Sequence, residues 1–290
     1  MLETAIARLE QQHWLDKAAE PLTNVVRGAY EQLGESGRLA KNAMHGTWLG
    51  HPLHPVLTDI PIGAWTTAVV LDAAEGCTGD RAYGRAADVA IGFGIAGALG
   101  AALTGLTDWS ETDRGAKRLG LVHGIMNIAA TALCASSLAM RRNGGRQIGK
   151  ATTLAGVALA CAASYFGGAL VFGDRIGVTH ADEPDLEKPA PALPSGQLHE
   201  GDKKAVDVDG VEVMVARQHG RVCALSEHCS HLGGPLSEGT LKDGSIVCPW
   251  HASEFSLDDG HVINGPATHP QPCFETEERD GAIVIGNRRA

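Results

Sequence analysis

The hydrophobic rhythm of the chain changes once, from long apolar runs to short alternating ones. No residue from Val89 to Thr107 is charged; Leu119 to Met140 carries no charge, although it contains His123, and Ala151 to Gly173 carries none. Each run approaches or reaches the roughly 20 apolar residues that a helix needs to cross the hydrocarbon core of a bilayer. An earlier run, Leu57 to Ala74, is interrupted by Asp59 and Asp72, both near its ends, and completes a hairpin with Val89–Thr107. The pattern therefore predicts four transmembrane helices. A soluble all-helical bundle with Ala-rich core helices is the competing class, and three charge-free runs of this length argue against it. Gly92, Gly97, Gly100 and Gly105, with Ala between them, supply small residues that let helix backbones approach closely.

Beyond Gly173 the pattern breaks at "ADEPDLEKPAPALPSG", whose Pro184, Pro189, Pro191 and Pro194 predict a semi-stiff extended linker, one that permits the domain beyond it to swing. Short alternating stretches come next: "KAVDV", "VEVMVA", "RVCAL", "SIVC", "EFSL" and "AIVIG", punctuated by Asp-Gly and His-Gly turns. These predict a small antiparallel β domain. The expected organisation is an N-terminal helical segment over 1–46, a four-helix transmembrane domain over 47–180, the Pro-rich linker over 181–196, and an all-β domain over 197–290. The fold class is multidomain, an all-α transmembrane bundle joined to small antiparallel sheets.

Charge sharpens this division. Residues 1–173 hold 14 acidic and 14 basic side chains, whereas residues 174–290 hold 20 and 10, so the whole formal charge of -10 is C-terminal. An acidic β domain disfavours nucleic acid as a partner, because phosphate binding needs a basic face. Lys and Arg are split almost evenly between the two sets of loops, which leaves membrane orientation open, but an even number of spans puts both ends of the bundle on one side. Met1–Leu33 is charged, lacks an unbroken apolar stretch and a twin-Arg motif, and does not read as a secretory signal. The seven Cys do not suggest a disulfide framework: Cys134 and Cys161 lie in apolar runs, and Cys77, Cys223 and Cys273 belong to no motif. Unpaired Cys in a reducing compartment is the expectation.

The remaining two Cys carry candidate chemistry. "CSHLGGPL", Cys229–Leu236, and "CPWHASEF", Cys248–Phe255, each supply one thiolate and one imidazole: Cys229 with His231, and Cys248 with His251. Such pairs suit a tetrahedral zinc, or an iron-sulfur cluster in which His replaces Cys on one iron. A zinc finger would set its His pair on a helix, whereas here both pairs sit in Gly/Pro loops between strands.

The spacing C-x-H then C-x-x-H, within those two loops, resembles the Rieske [2Fe-2S] signature, and "NGPATHP", Asn264–Pro270, resembles the proline loop that covers such clusters. The resemblance extends over roughly 192 to 287. It implies a two-loop cluster-binding subdomain, a one-electron carrier with Cys229 and Cys248 on the inner iron and His231 and His251 on the outer, solvent-facing iron. Neutral imidazoles raise the potential relative to four thiolates, and their free nitrogens can couple electron transfer to protonation. High-potential members join the two loops by a disulfide; Gly234 and Trp250 stand at those positions here. Ser253 matches the hydroxyl that hydrogen-bonds a cluster sulfide, but Phe255 replaces a second donor, a Tyr. A low-potential, ferredoxin-type centre is therefore expected, rather than a quinol-oxidising one. An oxygenase in its own right would also need a mononuclear iron held by two His and a carboxylate in a second domain; neither the apolar N-terminal half nor the residues after 287 offer one.

"GHPLHPVLTDIPIGAW", Gly50–Trp65, with "GLTDW" and "LVHGIMNIAA", resembles an uncharacterised four-helix membrane family, domain of unknown function 2231, over about 45 to 180. Four spans would put His51, His54, Asp108, Trp109, His123 and His180 on one membrane face, the one from which the β domain emerges. His123 and Asn127, at i and i+4, share a helix side. Two readings stand. In one, interfacial His and Trp anchor helix ends, with Asp59 and Asp108 as caps or partners; in the other, some of His51, His54, His123 and His180 bind a haem or a metal, or line a quinone pocket. The expected function is a membrane-anchored, multi-pass protein in contact with lipid, carrying single electrons from a soluble reductase or ferredoxin-like donor to the membrane domain or a partner oxidoreductase. A redox or iron-sulfur sensor, and a ferredoxin component of a separate oxygenase, are the rivals. The cluster is expected on the cytoplasmic side, since neither an export signal nor a loop disulfide is visible.

Overall fold

The structure, a computed structural model, describes residues 2–182, 186 and 188–289. It divides into two compact units: residues up to Gly37 with Leu53–Asp174, and Arg38–Pro52 with the residues from Arg175 onward. Helix α3, Gly34–His45, runs across the first of these boundaries.

The first unit holds α1 (Leu2–Glu10), α2 (Asp16–Gln32) and four long helices: α4 (Leu53–Thr78), α5 (Arg81–Ser110), α6 (Arg114–Arg142) and α7 (Arg146–Phe172). The four long ones are each long and apolar enough to cross a membrane, with mean hydropathy of 1.3 to 1.9. Between α4 and α5 the chain turns through Gly79, at φ +73°, and Asp80 then caps α5 by accepting the Ala82 amide at 2.8 Å. The helices pair as two hairpins. Along α5, Gly94 abuts the Trp65 ring and Gly97 abuts Ile60; a Cβ at Gly105 would lie 2.7 Å from the His54 ring, and one at Gly100 would touch Leu57 at 3.6 Å. This stripe lets α4 lie close against α5, as small residues should, but Gly92 faces open space. On α7, Gly156 and Gly167 do the same against Cys134 and His123 of α6.

The ends of these helices are held by ions. Arg141 donates to both oxygens of Asp72, to Asp88 Oδ1 at 3.1 Å, and to the hydroxyls of Ser137 and Thr153, each at 3.0 Å. Arg146 and Lys150 meet Glu75 at 2.9 and 2.7 Å. Asp72, an interruption in the apolar run, is thus half of a buried ion pair. At the opposite helix ends Arg118 grips Asp16 of α2 through two 2.7 Å bonds.

The second unit carries two antiparallel sheets. The larger is built from β1 (Ala190–Pro194), β2 (Lys203–Val208), β3 (Val211–Gln218), β4 (Arg221–Ser226), β9 (Cys273–Arg279) and β10 (Ala282–Arg288), in the order β1-β10-β9-β4-β3-β2. The smaller is built from β5 (Thr240–Lys242), β6 (Ser245–Val247), β7 (Glu254–Ser256) and β8 (Val262–Asn264), in the order β5-β6-β7-β8. Part of the stretch read as a linker is therefore strand. Ala190–Pro194 pairs with β10, Ala190 opposite Ile285 and Pro194 opposite Ala282, at a sheet edge where missing amide hydrogens are tolerated. Pro184 of that stretch lies outside the described residues. Strand β3 is buried on both faces: Val213 and Val215 join Phe274, Ile283 and Ile285 in one core, and Met214 and Ala216 join Leu225, Ile246 and Phe255 in the other.

Candidate metal centre

The second core ends in two loops. Strand β4 delivers the first, where the Cys229 amide donates to Gly234 O at 2.9 Å and the Gly233 amide returns to Cys229 O at 2.8 Å. Strands β6 and β7 hold the second between them, closed by the Cys248 amide on Ser253 O at 2.8 Å. Both turns bend tightly enough to need left-handed backbone, at Gly233 (φ +75°) and at Ala252 (φ +59°). Buried Gln271 fastens the first loop: it accepts the Ser230 amide at 2.9 Å and donates to Ser226 O and His228 O at 2.8 and 2.7 Å.

Cys229 and Cys248 are both buried, and their thiols hydrogen-bond to each other. That hydrogen bond, with burial, pushes Cys229 well above the ordinary thiol range; the same bond, helped by the Trp250 and His251 amides, brings Cys248 down to about 7. The imidazoles of His231 and His251 stand with ring centroids 5.0 Å apart and planes at 82°. Burial, reinforced by His251, His45, His180 and Lys41, drives His231 well below the ordinary histidine range, so its ring is neutral, the form that binds metal. Its Nδ1 is buried without a hydrogen-bond partner. An orphaned imidazole nitrogen and two adjacent buried thiols are groups that a metal centre would satisfy.

The donors come in pairs. No group of three His, Cys, Asp or Glu converges on one point among the described residues, as a single structural zinc would require. A two-iron cluster takes one pair per iron, so these residues fit it. Ser253 is fully buried, and its Oγ accepts the Ala267 amide at 3.0 Å, which leaves its own hydrogen to be donated. A Cβ at Gly234 would lie 2.9 Å from Cys248 Sγ and 3.0 Å from the Trp250 ring, and all seven cysteines are free thiols.

The other four candidate histidines fall into both units. In the helical unit His54 Nδ1 bonds Ala101 O and His123 Nδ1 bonds Ala163 O, each at 2.8 Å, and the two rings meet edge to face at 6.5 Å. Asn127 donates to His123 O at 3.0 Å, in keeping with their shared helix side. His51 and His180 belong to the second unit, where the His180 amide donates to Ser230 O at 3.0 Å beside the first loop. Sequence reading missed Gln271, and it missed Asn42 of α3, whose Oδ1 accepts the Gly265 amide at 3.0 Å. Gln271, a lone amide between Pro270 and Pro272, offered a faint signal. Asn42 offered none.

Two hairpin loops, each with a Cys and a His, at the end of a two-sheet antiparallel domain define an iron-sulfur electron carrier, and the chain belongs to the Rieske [2Fe-2S] family. The model of the Rieske [2Fe-2S] domain matches residues 188–275, and a second family model, predicted membrane protein (DUF2231), matches residues 50–180. The ferredoxin subunit of 3-phenylpropionate/cinnamic acid dioxygenase from Escherichia coli (strain K12) is 33% identical over 95 residues, covering 32% of this chain and 89% of that one. Human apoptosis-inducing factor 3 is 28% identical over 94 residues; the match covers 32% of this chain and only 16% of that protein's length. Among solved structures, the ferredoxin of carbazole 1,9a-dioxygenase from Nocardioides aromaticivorans IC177 is 30% identical, with 34% of this chain and 98% of that one covered and a TM-score of 0.33. An electron-transfer domain of [2Fe-2S] type is thus joined to a membrane-protein domain in one chain.

Proposed function

We propose that this protein is a membrane-anchored carrier that takes single electrons from a soluble reductase or ferredoxin-like donor and passes them to a partner oxidoreductase. Cys229 and Cys248 would hold the inner iron, and His231 and His251 the outer one. The observation that carries this reading is the paired donor set: two buried thiols side by side, and two imidazoles 5.0 Å apart on the same two loops. The cluster supplies a one-electron site when bound. The protein contributes a pre-shaped cradle, two imidazoles of which His231 is neutral, and the Ser253 hydroxyl held by Ala267. With Phe255 and Gly234 where further polar groups could stand, few donors reach the cluster sulfur, which supports a low potential. Free cysteines support a reducing, cytoplasmic location for this domain.

A second reading, a ferredoxin serving a separate oxygenase, is favoured by the likeness to the dioxygenase ferredoxin subunit. For the helical unit, His54 and His123 are the candidates for a haem or quinone site, because each commits Nδ1 to a carbonyl.

The deciding experiment is low-temperature EPR of the reduced, detergent-purified full chain, with iron, sulfide and haem assayed on the same sample. A Rieske signal that disappears in Cys248→Ser and His251→Ala is expected; zinc in place of iron would sink the proposal. Haem lost in His123→Ala would make the helical unit a second redox station, and its absence would confine electron transfer to the cluster and soluble partners.

A further inference from the structure

Residues far from either loop complete the centre. We propose that Arg38–Pro52, the end of α3 and the turn after it, is an integral third arm of the cluster site, with Asn42 as the positioning residue that holds the loop 264–267 in place. This rests on the ligand assignment above.

Asn42 uses both ends of its amide. Its Nδ2 donates to Asn264 Oδ1 at 3.1 Å, and its Oδ1 accepts the Gly265 amide at 3.0 Å, a two-point grip on consecutive residues. Arg38, one helical turn earlier, also donates to Asn264 Oδ1. The contact is close packed: a Cβ at Gly265 would stand 3.2 Å from Thr47 Cγ2 and 3.3 Å from His45 Cδ2, and His45 is buried. The grip is also passed on. Asn264 Nδ2 donates to Glu254 Oε2 at 2.6 Å, and the other oxygen of Glu254 accepts Ser245 Oγ at 2.7 Å, so α3 is wired to the strands that hold the second loop. Two residues beyond Gly265, the Ala267 amide bonds Ser253 Oγ at 3.0 Å. That bond occupies an Oγ lone pair, so the Ser253 hydrogen is left to be aimed at cluster sulfur. The arm thus reaches the cluster surroundings by orienting the loop that orients Ser253.

Asn42→Ala is the informative variant, because Ala is the better helix former and α3 itself is not weakened. In the detergent-purified full chain, losing two hydrogen bonds should speed hydrogen exchange at Gly265 and Ala267 by about tenfold. With Ser253 less well held, the midpoint potential should fall, the EPR g-values should shift, and iron should pass to a chelator several-fold faster. Asn42→Asp keeps the acceptor for Gly265 and loses the donor to Asn264; exchange at Gly265 should stay near that of the parent chain. Unchanged exchange, potential and g-values in N42A, in a chain whose parent shows a Rieske signal, would overturn the proposal. A parent chain with no such signal instead removes the ligand assignment, and exchange at Gly265 then reports separately whether Asn42 holds the loop.

Discussion

Arg141 has a side chain only 1% exposed, in a helix apolar enough to cross a bilayer, and survives there because every hydrogen-bonding direction is taken by Asp72, Asp88, Ser137 or Thr153. Removing the guanidinium takes both charged hydrogen bonds from the buried Asp72 carboxylate and leaves only Lys150, which is committed to the Asp72 carbonyl and to Glu75. Arg141→Ala should therefore destabilise the chain by about 3–5 kcal/mol, read as a lower unfolding midpoint in detergent, while R141A combined with Asp72→Ala should cost less than R141A alone. Glu200 is an exposed counterpart. Its carboxylate accepts the Gly220 and His219 amides at the β3–β4 turn, and these bonds hold it below the ordinary carboxylate range. A lowered folded pKa stabilises above the unfolded value of 4.5 and loses that contribution as pH falls through the folded one. The melting-temperature gap between the parent and Glu200→Gln should be constant near neutrality and close as the pH drops below that value. At this scale the placing of Cys229 with His231 and of Cys248 with His251 on two inter-strand loops was legible, since residue type and spacing are written locally. The partner of Asp72 was not, because it lies 69 residues away and charge alone does not say which cation will reach it.

Among the elements, the helices were the easiest to read. A run without charges has few folds open to it, and the three such runs, with Leu57–Ala74, are α4 to α7. The glycine stripe was legible only as composition: Gly97, Gly100 and Gly105 pack on α4, but Gly94, not Gly92, meets Trp65, since the facing side depends on helix rotation. Strand β1 hid inside a proline-rich stretch because an edge strand needs only one set of amides. Between the cluster loops the fit is closer still. Gly234→Ala would push a methyl onto Cys248 Sγ and Trp250, so this variant should retain its β fold by circular dichroism yet hold much less iron per chain.

For the whole molecule, pattern predicts a helical segment over 1–46, a four-helix domain over 47–180, a linker and a β domain, and contacts add a grouping that pattern does not carry. Arg38–Pro52 clusters with the β unit, although it is helical and precedes the first apolar helix. No local rhythm could reveal that, because the contact is made largely by polar side chains, Arg38 and Asn42 on Asn264 and Gly265, rather than by a hydrophobic face. With four spans, tags at the two ends of the chain should be protected or exposed together in sealed vesicles, whereas Cys77, at the far end of α4, should be labelled only from the opposite side.

Asn42 and Asn264 are separated by 222 residues, and all four apolar helices lie between them. During synthesis the arm therefore leaves the ribosome first and waits for its partner until every helix has been made. Closure of the iron-sulfur site is in this way tied to the last stage of biogenesis, and a chain stalled partway through membrane insertion lacks the loop that Asn42 is there to hold.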